Sequence, residues 1–186
     1  SASAAPEEST SSLPELPETA ETSEGIENPA AHAHAVPVLL YHDLAPAEEC
    51  LDNTNGLIVP VEEFRSQMSW LKDHDYVTPT LSEFLSWING ENELPSKSVL
   101  ITFDDGYISL KTHALPILEE CGLTAVVFVI GERADGIKAG LCYLSWDDIS
   151  SINASEVADF QNHTYDGHNG PTSNPEIASW PPERFS

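Results

Sequence analysis

Positive charge is what this chain has least of: 7 Lys plus Arg stand against 31 Asp plus Glu in 186 residues, a formal charge of −24. That shortage excludes a nucleic-acid binder and a protein held on anionic lipid, both of which need a basic face. Long apolar runs are missing too. None approaches the ~18 residues of a transmembrane helix, and the first residues carry neither the basic start nor the apolar centre of a signal peptide. Cysteine is scarce and odd in number. Cys50, Cys121 and Cys142 have no metal-type spacing; one disulfide with a free thiol and three reduced thiols both remain open. The first 35 residues, SASAAPEESTSSLPELPETAETSEGIENPAAHAHA, contain no aromatic side chain and no Lys or Arg. Such a stretch cannot bury enough apolar surface to offset its conformational entropy. It is expected to be a disordered acidic Ser/Glu/Pro linker over 1–35, with His32 and His34 part of it rather than a metal site.

From Val36 the texture changes, and residues 36–186 are expected to form one domain. VPVLLYH is a short apolar run suited to a buried strand. Val61, Phe64, Met68 and Leu71 recur at helical spacing behind Pro60. VTPT reads as a short strand, and Thr80 with Glu83 forms a capping-box pattern ahead of Leu81. SVLITF is strand-like. YISLKTHALPILEECG is a helix interrupted by Pro116 and stopped by Gly122, TAVVFVI is a buried strand, SWDDISSI begins a helix at a Ser N-cap, and EVADFQNH is a last, weaker strand. Strands alternating with helices imply α/β architecture with a parallel sheet, open or closed into a barrel. In such folds chemistry sits at the carboxyl ends of the strands.

Reactive residues appear where apolar runs stop. His42 follows VPVLLY, Asp104 and Asp105 follow VLITF, and His163 follows VADFQN, with His168 five residues on. Two imidazoles and a carboxylate suit zinc or another borderline divalent ion. The adjacent carboxylate then stays free as a general base toward a water whose pKa such an ion lowers toward ~7. A nearby cation also relieves the repulsion between neighbouring carboxylates. Gly106 permits the sharp turn, and His42 is available as the acid that protonates a leaving group. Taken singly, DDG is an ordinary solvated turn and each histidine an ordinary loop residue; co-occurrence at three strand ends favours a site.

With these residues assembled, the chain resembles the polysaccharide deacetylases of the NodB-homology type, carbohydrate esterase family 4. VPVLLYHDL, SVLITFDDGY, ALPILEECGLTAVVFVIG, LSWDDI and QNHTYDGH carry the likeness over roughly Val36 to His168. The resemblance implies a distorted (β/α) barrel and metal-dependent removal of acetyl groups from glycans. It makes Asp104 the catalytic base, Asp105, His163 and His168 the metal ligands, and Tyr107 a substrate-binding residue, with zinc the expected ion and cobalt or nickel as alternatives. The five-residue step between the histidines and the early Leu40-Tyr41-His42 resemble the circularly permuted subgroup that deacetylates poly-N-acetylglucosamine, which makes His42 the general acid. After His168 the family expects an Arg-x-Pro-type motif and an Asp and Trp motif. Here Arg184 and Trp180 stand in other contexts, so the domain is expected to be incomplete at its C-terminus.

The expected partner is an acetylated glycan, with no nucleic acid and no membrane insertion. The protein is expected to be monomeric, bacterial, and extracellular or attached to the cell surface. A non-catalytic carbohydrate-binding or inactive deacetylase fragment is the alternative. A phosphoesterase is weaker, because no basic residue or Gly-rich cradle lies near the motifs in sequence.

Overall fold

The computed structural model describes residues 32–50, 56–134, 136–138 and 141–167. In chain order the elements are β1 (Val38–Tyr41), β2 (Asp43–Ala45), β3 (Ile58–Pro60), α1 (Val61–Asp73), α2 (Leu81–Ile88), β4 (Leu100–Asp105), α3 (Leu115–Cys121), β5 (Ala125–Ile130), β6 (Ile137–Lys138), β7 (Leu141–Cys142), α4 (Trp146–Asn153) and β8 (Ala158–Thr164). The main sheet has the order β1-β4-β5-β8, and every pairing in it is parallel. This is the α/β architecture with a parallel sheet that the alternating strands and helices imply. Among the described residues the sheet is an open sector with β1 and β8 at its edges, not a closed ring. Two small pairs, parallel β2-β3 and antiparallel β6-β7, stand outside it; at two or three residues per strand they are too short to leave a periodic signature.

Local chemistry explains where the elements begin and end. Pro60 occupies the N-cap position of α1, Glu62 and Glu63 sit in its first turn and Lys72 in its last, each favourable to the helix dipole. Phe64, Met68 and Leu71 form its buried face. At α2 the Thr80 hydroxyl accepts from the Glu83 N–H at 3.2 Å, and the Glu83 carboxylate accepts from the Thr80 N–H at 2.8 Å. A second capping box, Ser145 with Asp148, opens α4. The expected helix over 107–122 is broken in an instructive way. Pro116 stands at the start of α3 and is preceded by a π-helical turn, Leu110–Ala114. Proline has no N–H and its ring collides with the carbonyl four residues back, so the chain widens to accommodate it. Gly122, at φ 69°, ends α3 in the left-handed conformation.

Two expectations change, and one open alternative is decided. VTPT forms only an isolated bridge, Val77 to Ser98, because Pro79 removes a ladder donor. Of the two cysteine states left open, the structure has the reduced one: Cys50, Cys121 and Cys142 are free thiols. Ala33, inside the expected linker, packs on the domain: it is buried, its N–H donates to Leu94 O at 2.8 Å, and its carbonyl accepts from the Trp87 indole at 3.3 Å. Residues 1–31 of the expected linker lie outside the described residues, as do Trp180 and Arg184.

The core sits between the sheet and the helices α1 and α3. Its centre is an aromatic trio, Tyr41, Phe64 and Phe103, with ring centroids 5.0 to 5.6 Å apart. Phe64 is fully buried, so Phe64→Ala is expected to lower stability by about 3–5 kcal/mol, read as a lower urea midpoint at unchanged m-value. Acid should weaken the fold at α4. Hydrogen bonds from Lys111 and then Ser145 hold the Asp148 carboxyl down to about 2 from an ordinary 3.8. Stability from this group is therefore present above about pH 4 and lost as pH falls toward about 2. Urea midpoints followed through that window should converge for wild type and Asp148→Asn as the pH drops.

Candidate active site

The site is made by the way β4 ends. Leu100 to Phe103 are buried, as an inner strand of a parallel sheet demands, and the next two residues are Asp104 and Asp105. Asp105 has φ 70° and Gly106 φ 78°. The Gly106 N–H donates to Asp104 O at 2.9 Å, closing a three-residue γ-turn centred on Asp105. A left-handed residue with a side chain costs about 1–2 kcal/mol, and Asp is among the few that visit that region. The turn has a direct effect. In a regular strand adjacent side chains point to opposite faces; here both carboxylates reach one imidazole. Asp104 Oδ2 lies 4.0 Å from His163 Nδ1, and Asp105 Oδ1 lies 3.7 Å from His163 Nε2. Gly106 is required at the turn, since a Cβ there would stand 3.0 Å from Val129 Cγ1.

His163 arrives by a second irregularity. Val129 pairs with Asn162 and Ile130 with Thr164, so His163 is the extra residue of a β-bulge in β8. Bulges re-aim a side chain at the end of a ladder, and this one turns the imidazole toward β4 across the intervening β5. The three side chains grade from inside to outside: 3 % exposure for Asp105, 18 % for Asp104 and 31 % for His163.

His42 follows directly on β1, whose last registered pair is Tyr41 with Phe103. It therefore stands beside Asp104 at the carboxyl end of the sheet, without an ion pair to it. Tyr107 is buried, its ring stacked on Tyr143 at 5.0 Å. Burial, with Tyr143 and Asp105 adding to it, pushes the Tyr107 phenol well above its ordinary pKa of 10.0, so the hydroxyl stays protonated. His168 lies outside the described residues. Among the described residues no three His, Cys, Asp or Glu side chains converge closely enough to hold an ion; Asp105 and His163 supply two donors.

Sequence reasoning missed Arg133. It corrects the expectation that no basic residue lies near the motifs: its Nη1 is 3.8 Å from Asp105 Oδ2 and donates to the Tyr143 hydroxyl at 3.0 Å. The signal was available. Arg133 comes just after TAVVFVIG, at the carboxyl end of a buried strand, where the same rule had found the acids.

The family model for polysaccharide deacetylases matches residues 91–183, half of the chain. Similar curated proteins include the putative polysaccharide deacetylase YxkH of Bacillus subtilis, 37% identical over 97 residues, covering 52% of this chain and 32% of that protein. A poly-beta-1,6-N-acetyl-D-glucosamine N-deacetylase of Staphylococcus aureus is 33% identical over 112 residues, covering 60% of this chain and 38% of that one. Among solved structures, IcaB from Ammonifex degensii superposes with a TM-score of 0.64 at 31% identity, covering 72% of this chain and 54% of its own. Streptococcus pyogenes PplD in complex with acetate gives 0.59 at 25% identity, covering 72% of this chain and 57% of its own. The chain thus spans about a third of the length of these curated relatives. On the family match and the shared parallel α/β fold, the chain belongs to the polysaccharide deacetylase family.

Proposed function

We propose that this domain removes acetyl groups from an N-acetylglucosamine-containing polysaccharide with the help of a divalent metal ion. The observation that carries the reading is the convergence of Asp104, Asp105 and His163 at the carboxyl end of the sheet. The donor chemistry fits an ion. The 3.7 Å between Asp105 Oδ1 and His163 Nε2 is too long for a hydrogen bond. It is near the separation of about 3.4 Å expected for two ligands that each bind one tetrahedral zinc at about 2.1 Å. Asp105 and His163 would hold the ion together with His168, and zinc suits this donor set, with cobalt or nickel as alternatives. When bound, the ion would polarise the acyl carbonyl and make a water acidic.

The remaining work falls to the side chains. Asp104, more exposed than Asp105 and set toward the other nitrogen of His163, takes the proton of the attacking water. Amide cleavage breaks the bond between acyl carbon and nitrogen, and the departing amine needs a proton. His42, on the neighbouring strand end, supplies it. Tyr107, buried and stacked on Tyr143, is the substrate-binding residue in this reading. The printed names of the curated relatives, which include poly-beta-1,6-N-acetyl-D-glucosamine N-deacetylases, support that polymer as the substrate class. Strong negative charge and an acidic leading segment support export to the cell surface or beyond. No described helix is long and apolar enough to cross a membrane.

The test is metal content and acetate release on acetylated glucosamine oligomers. Asp105→Asn is expected to lose the metal. Asp104→Asn should keep it while turnover drops by roughly 10²–10⁴-fold, and His42→Ala should behave like Asp104→Asn. Wild type that binds metal yet releases no acetate would support a non-catalytic glycan-binding role instead. Metal retained in Asp105→Asn would refute the assignment of ligand and base.

A further inference from the structure

We infer that Arg133, braced by Tyr143, is the positioning residue that fixes Asp105, so that one carboxylate oxygen is held inward and the other is presented at His163. This rests on the reading of Asp105 as a metal ligand. The two oxygens of Asp105 are already divided: Oδ2 faces Arg133 Nη1 at 3.8 Å and Oδ1 faces His163 Nε2 at 3.7 Å. A carboxylate at a metal site works only when its orientation is set by groups behind it, and Arg133 stands behind this one.

Several features argue that the arrangement is built rather than incidental. The chain has 7 basic residues against 31 acids, yet one of them is only 12 % exposed, beside a carboxylate that is 3 % exposed. Removing a charge from water is costly unless it is paired and hydrogen-bonded. The guanidinium is held on its other side as well. Nη1 donates to Tyr143 Oη at 3.0 Å, and Cζ lies 5.2 Å from the centre of the Tyr143 ring. Tyr143 in turn stacks on Tyr107, two residues along from Asp105, and Leu144 N–H donates to Gly106 O at 3.0 Å. Asp105, Arg133, Tyr143 and Tyr107 therefore form a closed circuit around the γ-turn.

The backbone of Arg133 is pinned to the strand that bears the imidazole. It ends the short 3-10 turn Gly131–Arg133. Glu132 N–H donates to Tyr165 O at 2.9 Å, and Gly136 N–H donates to Arg133 O at 3.1 Å. Gly131 makes room for this, since a Cβ there would meet Tyr165 Cδ2 at 2.8 Å. One short turn after β5 thus holds the acid from β4 and the end of β8 in a single frame. A planar guanidinium that stacks and donates in a fixed direction suits this task better than a lysine ammonium.

The experiment is zinc affinity, read by competition with a chromophoric chelator, on the full chain as wild type, Asp105→Asn, Arg133→Met, Arg133→Lys, Tyr143→Phe and the Arg133→Met/Tyr143→Phe double variant. Arg133→Met is expected to weaken zinc binding by about 10–100-fold, with Arg133→Lys recovering only part of the loss. Tyr143→Phe should weaken binding in the wild-type background and cost nothing further once Arg133 is gone, because it acts through Arg133. A merely structural role would lower the thermal midpoint without this pattern. Should Arg133→Met fail to fold, Arg133→Lys and Tyr143→Phe carry the same comparison. Unchanged affinity in the folded variants, beside loss of zinc in Asp105→Asn, would overturn the inference and leave the ligand reading intact. Tighter binding in Arg133→Met would overturn it too, by showing that repulsion between two cations outweighs positioning. Wild type that binds no zinc removes the ligand reading and the inference with it.

Discussion

The left-handed backbone at Asp105 is the constraint from which the rest of the site follows. An inner strand of a parallel sheet is apolar on both faces, and a regular continuation of β4 would have sent its two terminal carboxylates to opposite sides. The γ-turn puts them on one side, within 4.0 Å of the same imidazole. Strain of this kind persists only where surrounding contacts over-determine it. Here those contacts are visible: Val129 closes against Gly106, Leu144 hydrogen-bonds the Gly106 carbonyl, and Arg133 faces the Asp105 carboxylate.

Electrostatics gives the same turn its second meaning. Two adjacent acids in a strongly acidic chain raise each other's cost of ionisation, and the groups that face them are one imidazole and one guanidinium. The guanidinium addresses the deeper acid; the imidazole lies between both. The consequence is a graded pair, an inner carboxylate fixed by the protein and an outer one left in contact with solvent. Identical neighbours on a straight strand would not have that difference of environment.

Much of this was legible in the sequence, for identifiable reasons. Short apolar runs gave β1, β4 and β5, the weaker run EVADFQNH gave β8, helical spacing gave Phe64, Met68 and Leu71, and the Thr80–Glu83 capping box and the N-cap ahead of Trp146 stood where the sequence put them. The rule that chemistry gathers past strand ends located Asp104, Asp105 and His163. What escaped was non-local or too short to be periodic: β2-β3, β6-β7, the π-helical turn forced by Pro116, and the docking of Ala33 against Leu94. The strand-end rule covers Arg133 too, but not its pairing: its partner, Asp105, lies 28 residues earlier in the numbering and a different strand away. No spacing rule connects an arginine after β5 to a carboxylate after β4; only the register of two neighbouring strands does.

The bulge at His163 separates two things that strands normally lock together. Shifting a strand by one residue ordinarily sends every side chain to the other face. In β8 the pairing of Ala158 through Asn162 with β5 is settled before the extra residue is reached. The core face of the strand and the aim of its terminal imidazole are therefore independent settings. The buried part of β8 keeps its register against β5, while the residue that carries the imidazole is set by the bulge alone. A fold arranged this way can change what it does at its rim while keeping what holds it together.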